Sequence, residues 1–266
     1  MEMMTMPYAT NQGIRIHYKV EGQGPPLVLQ HGFTWRLESW SRAGYVETLK
    51  SQYQLILVDA RGHGASDKPH DPDAYGLDLH VGDVVAVLDV LNLPAAHFWG
   101  YSMGGWIGFG MAKYAPERLH ALIMGGAHPY ERRLPASSRP DGSDPKLFVE
   151  TLLGRLGVSL ATLPADKQAE FLDNDFLAMA AAQQDRPSLE EILQTMTMPC
   201  LLYSGEADGV LPRVQECVQQ IPGATMVSFP SLNHPEAFYR ADIVLPRVMQ
   251  FLQEVSQGKI PQRSDG

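Results

Sequence analysis

Short apolar runs recur along the chain, and stretches with helical spacing separate them. Residues 14–20 alternate apolar and polar positions, as a half-buried edge strand does. Later runs are continuously apolar, which is typical of strands buried on both faces of a sheet. These predicted strands are residues 27–30, 55–58, 96–99, 119–124, 200–204 and 225–229. Helices are predicted between them, at residues 39–50, 79–91, 105–114, 188–195, 212–221 and 237–255.

Repeated strand–helix units predict an α/β protein with a mostly parallel sheet and helices on both faces. Such sheets bind ligands at the carboxyl ends of their strands. The alternation stops at residues 130–186, where prolines punctuate helical patterns at 146–156 and 165–182. We interpret this stretch as a helical cap inserted after the sixth strand. The core then comprises residues 1–129 and 187–258, and residues 259–266 form a tail.

Composition and charge narrow the possible partners. The 266 residues are 44% hydrophobic and 19% charged, as in ordinary soluble globular proteins. With 21 Lys and Arg against 30 Asp and Glu, the net charge is −9, which argues against nucleic acid or an anionic membrane as a partner. No apolar stretch reaches membrane-spanning length, and residues 1–12 lack the features of a signal peptide. We therefore expect a cytoplasmic protein.

A serine lies at the turn between one predicted strand and the helix that follows it. The segment Gly100-Tyr101-Ser102-Met103-Gly104 fits the pattern Gly-x-Ser-x-Gly. Such a turn holds the serine oxygen clear of the backbone in a strained conformation, and the glycines avoid collisions with the adjacent strand and helix. The N–H groups at the start of the helix also favour negative charge beside the serine. Ser102 is therefore the candidate nucleophile.

A serine hydroxyl needs a base at neutral pH, and imidazole titrates in a suitable range. His234 follows the last predicted strand, which places it at the same edge of the sheet as the serine. A buried carboxylate should orient the imidazole. Asp208 follows the preceding strand and is favoured, while Glu206 on the same loop is the alternative. The backbone N–H groups of Phe33 and Met103 are the predicted donors to a developing oxyanion.

In chain order these motifs resemble those of the α/β-hydrolase superfamily. The matching segments are residues 31–33 (His-Gly-Phe), 59–66 (Asp-Ala-Arg-Gly-His-Gly-Ala-Ser), 100–105 (Gly-Tyr-Ser-Met-Gly-Gly), 205–208 (Gly-Glu-Ala-Asp) and 233–234 (Asn-His). The resemblance covers nearly the whole chain apart from the cap, and it implies the α/β-hydrolase fold with an eight-stranded sheet. Within the superfamily the chain is similar to the short-cap serine branch, which contains carboxylesterases, enol-lactonases, perhydrolases and macrolide-ring esterases. Haloalkane dehalogenases and epoxide hydrolases share the fold but use an aspartate nucleophile. Because this chain has Ser102 at that position, the sequence argues against both activities.

The resemblance implies a serine hydrolase that cleaves carboxylic ester or lactone bonds through an acyl-enzyme. The expected substrate is a small to medium hydrophobic ester or lactone, and macrocyclic lactones such as macrolides fall within the range of the branch. Two alternatives stay open. One is a cofactor-free perhydrolase related to haloperoxidases, in which hydrogen peroxide replaces water, and the other is a slow-turnover ligand receptor on the same fold.

Residues near these motifs are candidates for contact with the substrate, namely Trp35, Tyr101, Trp106, His128 and Tyr130. Other polar residues have structural interpretations: His31, His63 and Asp59 are expected to brace loops, and His17, His80 and His97 to lie at surfaces or element ends. No cofactor or metal is expected, because the acidic pairs lack the ligand spacing of a calcium loop and the two cysteines lie in no metal-binding motif.

Overall fold

Eight strands form one open sheet in the computed structural model, which describes residues 7–135, 138–155, 158–162 and 165–259. In chain order they are β1 (Tyr8–Asn11), β2 (Ile14–Glu21), β3 (Pro26–Gln30), β4 (Gln54–Val58), β5 (Ala96–Tyr101), β6 (Leu119–Gly125), β7 (Cys200–Gly205) and β8 (Thr225–Phe229). Across the sheet the order is β1-β2-β4-β3-β5-β6-β7-β8. The β1–β2 and β2–β4 pairs are antiparallel and all other pairs are parallel. The predicted α/β class and mostly parallel eight-stranded sheet are therefore confirmed.

Helices connect these strands. Within the described ranges they are α1 (Glu38–Arg42), α2 (Tyr45–Leu49), α3 (Leu77–Val90), α4 (Met103–Tyr114), α5 (Pro145–Gly154), α6 (Ala165–Leu172), α7 (Phe176–Ala182), α8 (Leu211–Gln220), α9 (Glu236–Tyr239) and α10 (Ala241–Ser256). Short 3₁₀ helices occupy Pro72–Tyr75, Pro116–Arg118, Leu160–Thr162 and Glu190–Thr195. None of the helices that the structure describes is long and apolar enough to cross a membrane.

Helices cover both faces of the sheet, and successive side chains of a strand point to opposite faces. Each central strand therefore contributes side chains to two cores. Along β3, Val28 belongs to the core formed with α3, α4 and α8. Its neighbours Leu27 and Leu29 belong to the core on the other face, formed with α1, α2 and α10. This double burial explains why the central strands consist of continuous apolar runs in the sequence.

Several predicted elements differ from the observed ones. The predicted helix at 39–50 is divided into α1 and α2 by Gly44, whose φ of 89° lies outside the right-handed helical region. The predicted helix at 165–182 ends at Leu172, and α7 begins anew where the Asp175 carboxylate accepts a hydrogen bond from the Ala178 N–H at 3.0 Å. The predicted helix at 237–255 is likewise divided, into α9 and α10. Residues 8–11, for which no strand is predicted, form β1.

The chain leaves the sheet between β6 and β7, and we refer to residues 130–186 there as the insert. Its described helices α5 and α7 share a small apolar core of Phe148, Val149, Leu153, Leu160, Phe176 and Met179. Phe33, from the loop after β3, packs against this core and links the insert to the sheet. The division into core and cap remains a prediction, and of the predicted tail only Lys259 lies among the described residues.

A buried ion pair fastens α3 to the loop after β4. The guanidinium of Arg61, 1% exposed, donates two hydrogen bonds to the Asp83 carboxylate, at 2.7 and 2.6 Å. Asn11 of β1 donates to the same carboxylate at 2.9 Å. Burial raises the pKa of Asp83, and the Arg61 guanidinium opposes that rise. The pair therefore joins α3, the β4 loop and the edge strand β1.

Candidate active site

The turn between β5 and α4 holds Ser102 in a conformation that is rare for a residue with a side chain. Its φ is 53° and its ψ is −109°. The neighbouring glycines permit this turn, because a side-chain carbon on Gly100 would collide with the backbone of Gly104, and one on Gly104 would collide with the carbonyl of Gln30. Strain of this kind at a polar side chain is characteristic of functional sites.

Three side chains from separate loops meet in a hydrogen-bonded series. The Nε2 of His234 lies 2.9 Å from the Oγ of Ser102. The Nδ1 of the same ring lies 2.7 Å from the Oδ2 of Asp208. Glu206, the alternative acid, is directed elsewhere and accepts a hydrogen bond from the Ser228 hydroxyl at 3.0 Å. The structure thus brings together the three predicted catalytic residues.

Neighbouring groups fix the positions of the acid and the imidazole. Asp208 is buried, with 6% of its surface exposed, and its carboxylate also accepts a hydrogen bond from the Val210 N–H at 3.1 Å. Gly126 leaves room for the ring, because a side-chain carbon there would approach the Cε1 of His234 to 2.9 Å. The Tyr101 hydroxyl donates a hydrogen bond to the carbonyl oxygen of His234. The residue before the serine therefore holds the loop that carries the imidazole.

Two backbone amides, those of Phe33 and Met103, are the predicted donors of an oxyanion site. The N–H of Met103 is the first of α4, so it has no partner inside the helix. The N–H of Phe33 follows Gly32, at which an added side-chain carbon would lie 3.5 Å from the Cβ of Ser102. Neither amide donates a hydrogen bond to another group in the part of the chain that the structure describes. Both remain available for an oxyanion beside the serine.

A buried carboxylate braces the loops behind these amides. The side chain of Asp59 accepts hydrogen bonds from the N–H groups of Leu37, at 2.8 Å, and Ala65, at 3.0 Å. It also lies 2.8 Å from the Nδ1 of His17. Burial raises the pKa of Asp59, but the hydrogen bond with His17 and the other contacts outweigh it, so the pKa lies below its ordinary value. His17 is 6% exposed and lies within β2, so its predicted position at a surface or an element end is wrong.

His31 holds the loop that presents Phe33. Its Nε2 accepts a hydrogen bond from the Ala60 N–H at 3.1 Å, so the ring proton is assigned to Nδ1, which donates to the Gly32 carbonyl at 2.8 Å. Burial lowers the pKa of His31, and it lowers the pKa of His63 to about 3. Both rings are therefore neutral at pH 7. His31 thus contacts both the loop after β3 and the loop after β4, and the Nδ1 of His63 lies 3.0 Å from the backbone carbonyl oxygen two residues before it.

A cavity of about 830 Å³ opens onto Ser102 and His234. Three of the five predicted substrate contacts, Trp35, His128 and Tyr130, line it. The other two do not. Tyr101 is fully buried and stacks on Trp35 from behind, with ring centroids 5.8 Å apart, and Trp106 lies under the guanidinium of Arg186. Apolar residues of the insert complete one wall, namely Leu152, Leu153, Val158 and Phe171.

Arginines of the insert also line this cavity, and no motif in the sequence indicates them. They are Arg132, Arg155 and Arg186. Arg132 and Arg186 exchange two backbone hydrogen bonds, each 2.9 Å long, as an isolated antiparallel bridge. The only available signal is their position at the two ends of the insert, and sequence spacing does not show that these ends meet. Among the described residues, no group of His, Cys, Asp and Glu is arranged to hold a metal ion.

Comparison with known proteins identifies the family. The sequence family described as the alpha/beta hydrolase fold matches residues 25–199. This chain is an α/β hydrolase. A pimeloyl-[acyl-carrier protein] methyl ester esterase of Xanthomonas campestris is 34% identical to this hydrolase over 74% of the chain and 72% of the relative. A protein of Synechocystis sp., provisionally named a non-heme chloroperoxidase, is 28% identical over 93% of the chain and 100% of the relative.

Solved structures show the same fold. The hydrolase superposes on the enol-lactonase of Burkholderia xenovorans with a TM-score of 0.80 at 23% identity, over 93% of this chain and 100% of that one. The likeness extends along almost the full length of both chains. It confirms the α/β-hydrolase fold, as the sequence motifs predict.

Proposed function

We propose that this hydrolase cleaves carboxylic ester or lactone bonds with Ser102 as the nucleophile. The observation that carries the proposal is the unbroken series from the Ser102 hydroxyl through His234 to Asp208, with contacts of 2.9 and 2.7 Å. Distances of this size allow direct proton transfer between hydroxyl and imidazole. The name of the Xanthomonas relative, a methyl ester esterase, supports the same bond type.

The reaction proceeds in two halves on these groups. His234 takes the hydroxyl proton as the Ser102 oxygen attacks the carbonyl carbon, and the N–H groups of Phe33 and Met103 receive the resulting oxyanion. The imidazolium, stabilised by Asp208, then protonates the leaving alcohol as the carbon–oxygen bond of the ester breaks. In the second half His234 takes a proton from water, and the resulting hydroxide attacks the carbonyl carbon of the acyl-enzyme. The bond to the Ser102 oxygen then breaks, the carboxylic acid is released, and His234 returns the proton to Ser102.

Replacement of the nucleophile tests this proposal. We expect Ser102→Ala to lower kcat by about 10⁴- to 10⁶-fold across a panel of esters and lactones of graded size, because no other group can form the acyl-enzyme. The matched control is Ser51→Ala, at an exposed loop serine, which should keep wild-type kcat. A fluorophosphonate probe should label the wild type and Ser51→Ala, but not Ser102→Ala. Residual turnover by Ser102→Ala above about 1% of wild type, in protein free of contaminating esterase, would contradict the proposal.

Perhydrolysis is a second candidate, favoured by the full-length similarity to the Synechocystis relative. In that reaction hydrogen peroxide attacks the same acyl-enzyme, His234 takes its proton, and Ser102 leaves with that proton to give a peracid. The ratio of peracid to acid, measured with both acceptors present, separates the two activities. A stoichiometric burst without steady turnover on every ester would instead favour the slow-turnover receptor.

A further inference from the structure

The insert places positive charge inside the catalytic cavity. Arg132 and Arg186 are backbone-paired as direct neighbours on antiparallel segments, which puts their side chains on the same face of the pair. Like charges directly opposite each other destabilise such a pairing. Both side chains line the cavity that opens onto Ser102, and Arg155 joins them there.

Among the side chains that the structure describes, no carboxylate forms an ion pair with Arg132 or Arg186. Asp185 lies near enough to Arg132 to oppose the lowering of its pKa, but its carboxylate pairs with Arg139. The other nearby acids have their own partners: Asp208 contacts His234, Glu236 accepts from the Asn233 N–H and Asp242 pairs with Arg240. The cavity therefore holds more positive charge than its own acids offset.

The arginines keep donor capacity for a ligand. The Nε of Arg132 is buried without a hydrogen-bond partner. The guanidinium of Arg186 lies over the Trp106 ring, 4.5 Å from its centroid, and stacking of this kind leaves the N–H edge free to donate in its own plane. Arg155 donates to the neutral Oε1 of Gln183 at 3.2 Å and to the Ser138 carbonyl. A bound anion would accept a hydrogen bond from the unpartnered Nε of Arg132, or it would replace the neutral Gln183 oxygen as the acceptor for Arg155.

Electrostatics at the site agree with this arrangement. Burial, followed by the proximity of Arg132, lowers the pKa of Arg186 well below its ordinary value. A guanidinium stays protonated even so, and the site therefore holds a buried positive charge beside a second one. Burial and the neighbouring arginines also lower the pKa of His128 to about 4, so this ring is neutral at pH 7. Its Nδ1 is buried without a hydrogen-bond partner.

We infer that Arg132, Arg155 and Arg186 form an anion subsite and that the substrate is an ester or lactone carrying a carboxylate. The inference rests on the proposed function for the reaction, and it adds a charged group to the small to medium hydrophobic ester or lactone expected from the sequence. The planar guanidinium fork matches a carboxylate in a bidentate geometry, and the apolar wall of α5 and Phe171 accommodates the hydrocarbon between the two ends.

Paired substrates test the inference. Monomethyl adipate, pimelate and suberate are compared with methyl esters of monocarboxylic acids of the same chain length, which places the carboxylate on the acyl part. Acetate esters of long hydroxy acids are compared with plain alkyl acetates, which places it on the alcohol part. We expect at least one of the two series to favour the charged member by about 10-fold or more in kcat/KM, because hydrogen bonds to charged groups are strong.

Variants assign the preference to these arginines. Arg186→Met and Arg132→Met should lower the ratio of charged to neutral kcat/KM towards one, and Arg186→Lys, which keeps the charge but loses the fork, should give an intermediate ratio. The control is Arg133→Met, at an exposed neighbour that pairs with Glu131 and should keep the wild-type ratio. Thermal unfolding of each variant separates loss of fold from loss of recognition.

The outcomes distinguish the inference from the proposed function. Rapid hydrolysis of neutral esters with no preference in either series overturns the anion subsite and leaves the proposed function intact. Failure to hydrolyse any ester overturns the proposed function, and calorimetry then decides the subsite: adipate should bind Ser102→Ala and lose that binding when Arg186→Met is added. Absence of adipate binding together with absence of preference overturns the inference.

Discussion

A substitution of Asp208 should affect catalysis without affecting the stability of the fold. We expect Asp208→Asn to keep the fold but lower kcat by about 10⁴-fold, because an amide at this position favours the wrong imidazole tautomer. The matched variant is Glu206→Gln on the same loop, whose carboxylate accepts a hydrogen bond from Ser228 and does not contact His234 among the described residues. It should change kcat by less than about two-fold, and steady-state kinetics on one ester compares the two. Equal losses in both variants would contradict the assignment of the acid.

Single residues differ in how far the sequence reveals them. Ser102, Asp208 and His234 could be predicted because each follows a strand, and parallel strands end at one edge of the sheet. Arg132 and Arg186 could not, because their pairing depends on how the two ends of the insert return to each other. Tyr101 shows a third case. Its position beside the serine indicated a wall of the pocket, yet its side chain turns inward and its hydroxyl bonds the His234 loop.

Among the elements, α3 carries the acidic partner of the buried Arg61–Asp83 ion pair. Removal of the Asp83 charge leaves the Arg61 guanidinium buried without its counter-charge, so Asp83→Asn should lower the free energy of unfolding by about 3 to 5 kcal/mol. Asp89→Asn is the control, because it interrupts the exposed pair of Asp89 with Arg118 and should cost less than about 1 kcal/mol. Urea unfolding at neutral pH measures both. Similar losses in the two variants would show that burial does not set the difference.

Elements were predictable where the apolar pattern alone determines them. The central strands have side chains buried on both faces, so their bounds agree with the apolar runs to within a residue or two. Helix breaks were not predictable in the same way. Gly44 with its positive φ and the Asp175 cap interrupt patterns whose spacing continues across them. Strand β1 escaped prediction because it is short and lies at the edge, where pairing with β2 supplies most of its structure.

At the scale of the whole molecule, stability should fall as the pH is lowered from neutrality. His97 is an example: burial, followed by the neighbouring His120, lowers its pKa to about 4, against 6.5 in the unfolded chain. Between these values the unfolded state binds more protons, so stability is full above pH 6.5 and is lost as the pH falls towards 4. From about pH 8 to about pH 5 this one group costs about 2 kcal/mol.

The variant His97→Leu tests this account. It removes the titrating ring and also a buried Nδ1 that has no hydrogen-bond partner. Its free energy of unfolding should therefore fall by about 2 kcal/mol less than that of the wild type over the same pH range, as measured by urea unfolding at both ends. His97 lies near the start of β5, at the opposite end from Ser102, so ester turnover at neutral pH should be unaffected. Identical pH slopes would contradict the account.

The origins of the two sets of groups around the cavity have an evolutionary consequence. The groups proposed to make and break bonds all belong to loops of the sheet, whereas the arginines proposed to select the substrate all belong to the insert. Sequence change within residues 130–186 can therefore alter which substrate is bound while Ser102, Asp208 and His234 stay the same, as long as the insert keeps its contact with Phe33. In this architecture substrate specificity can evolve while the catalytic mechanism is conserved.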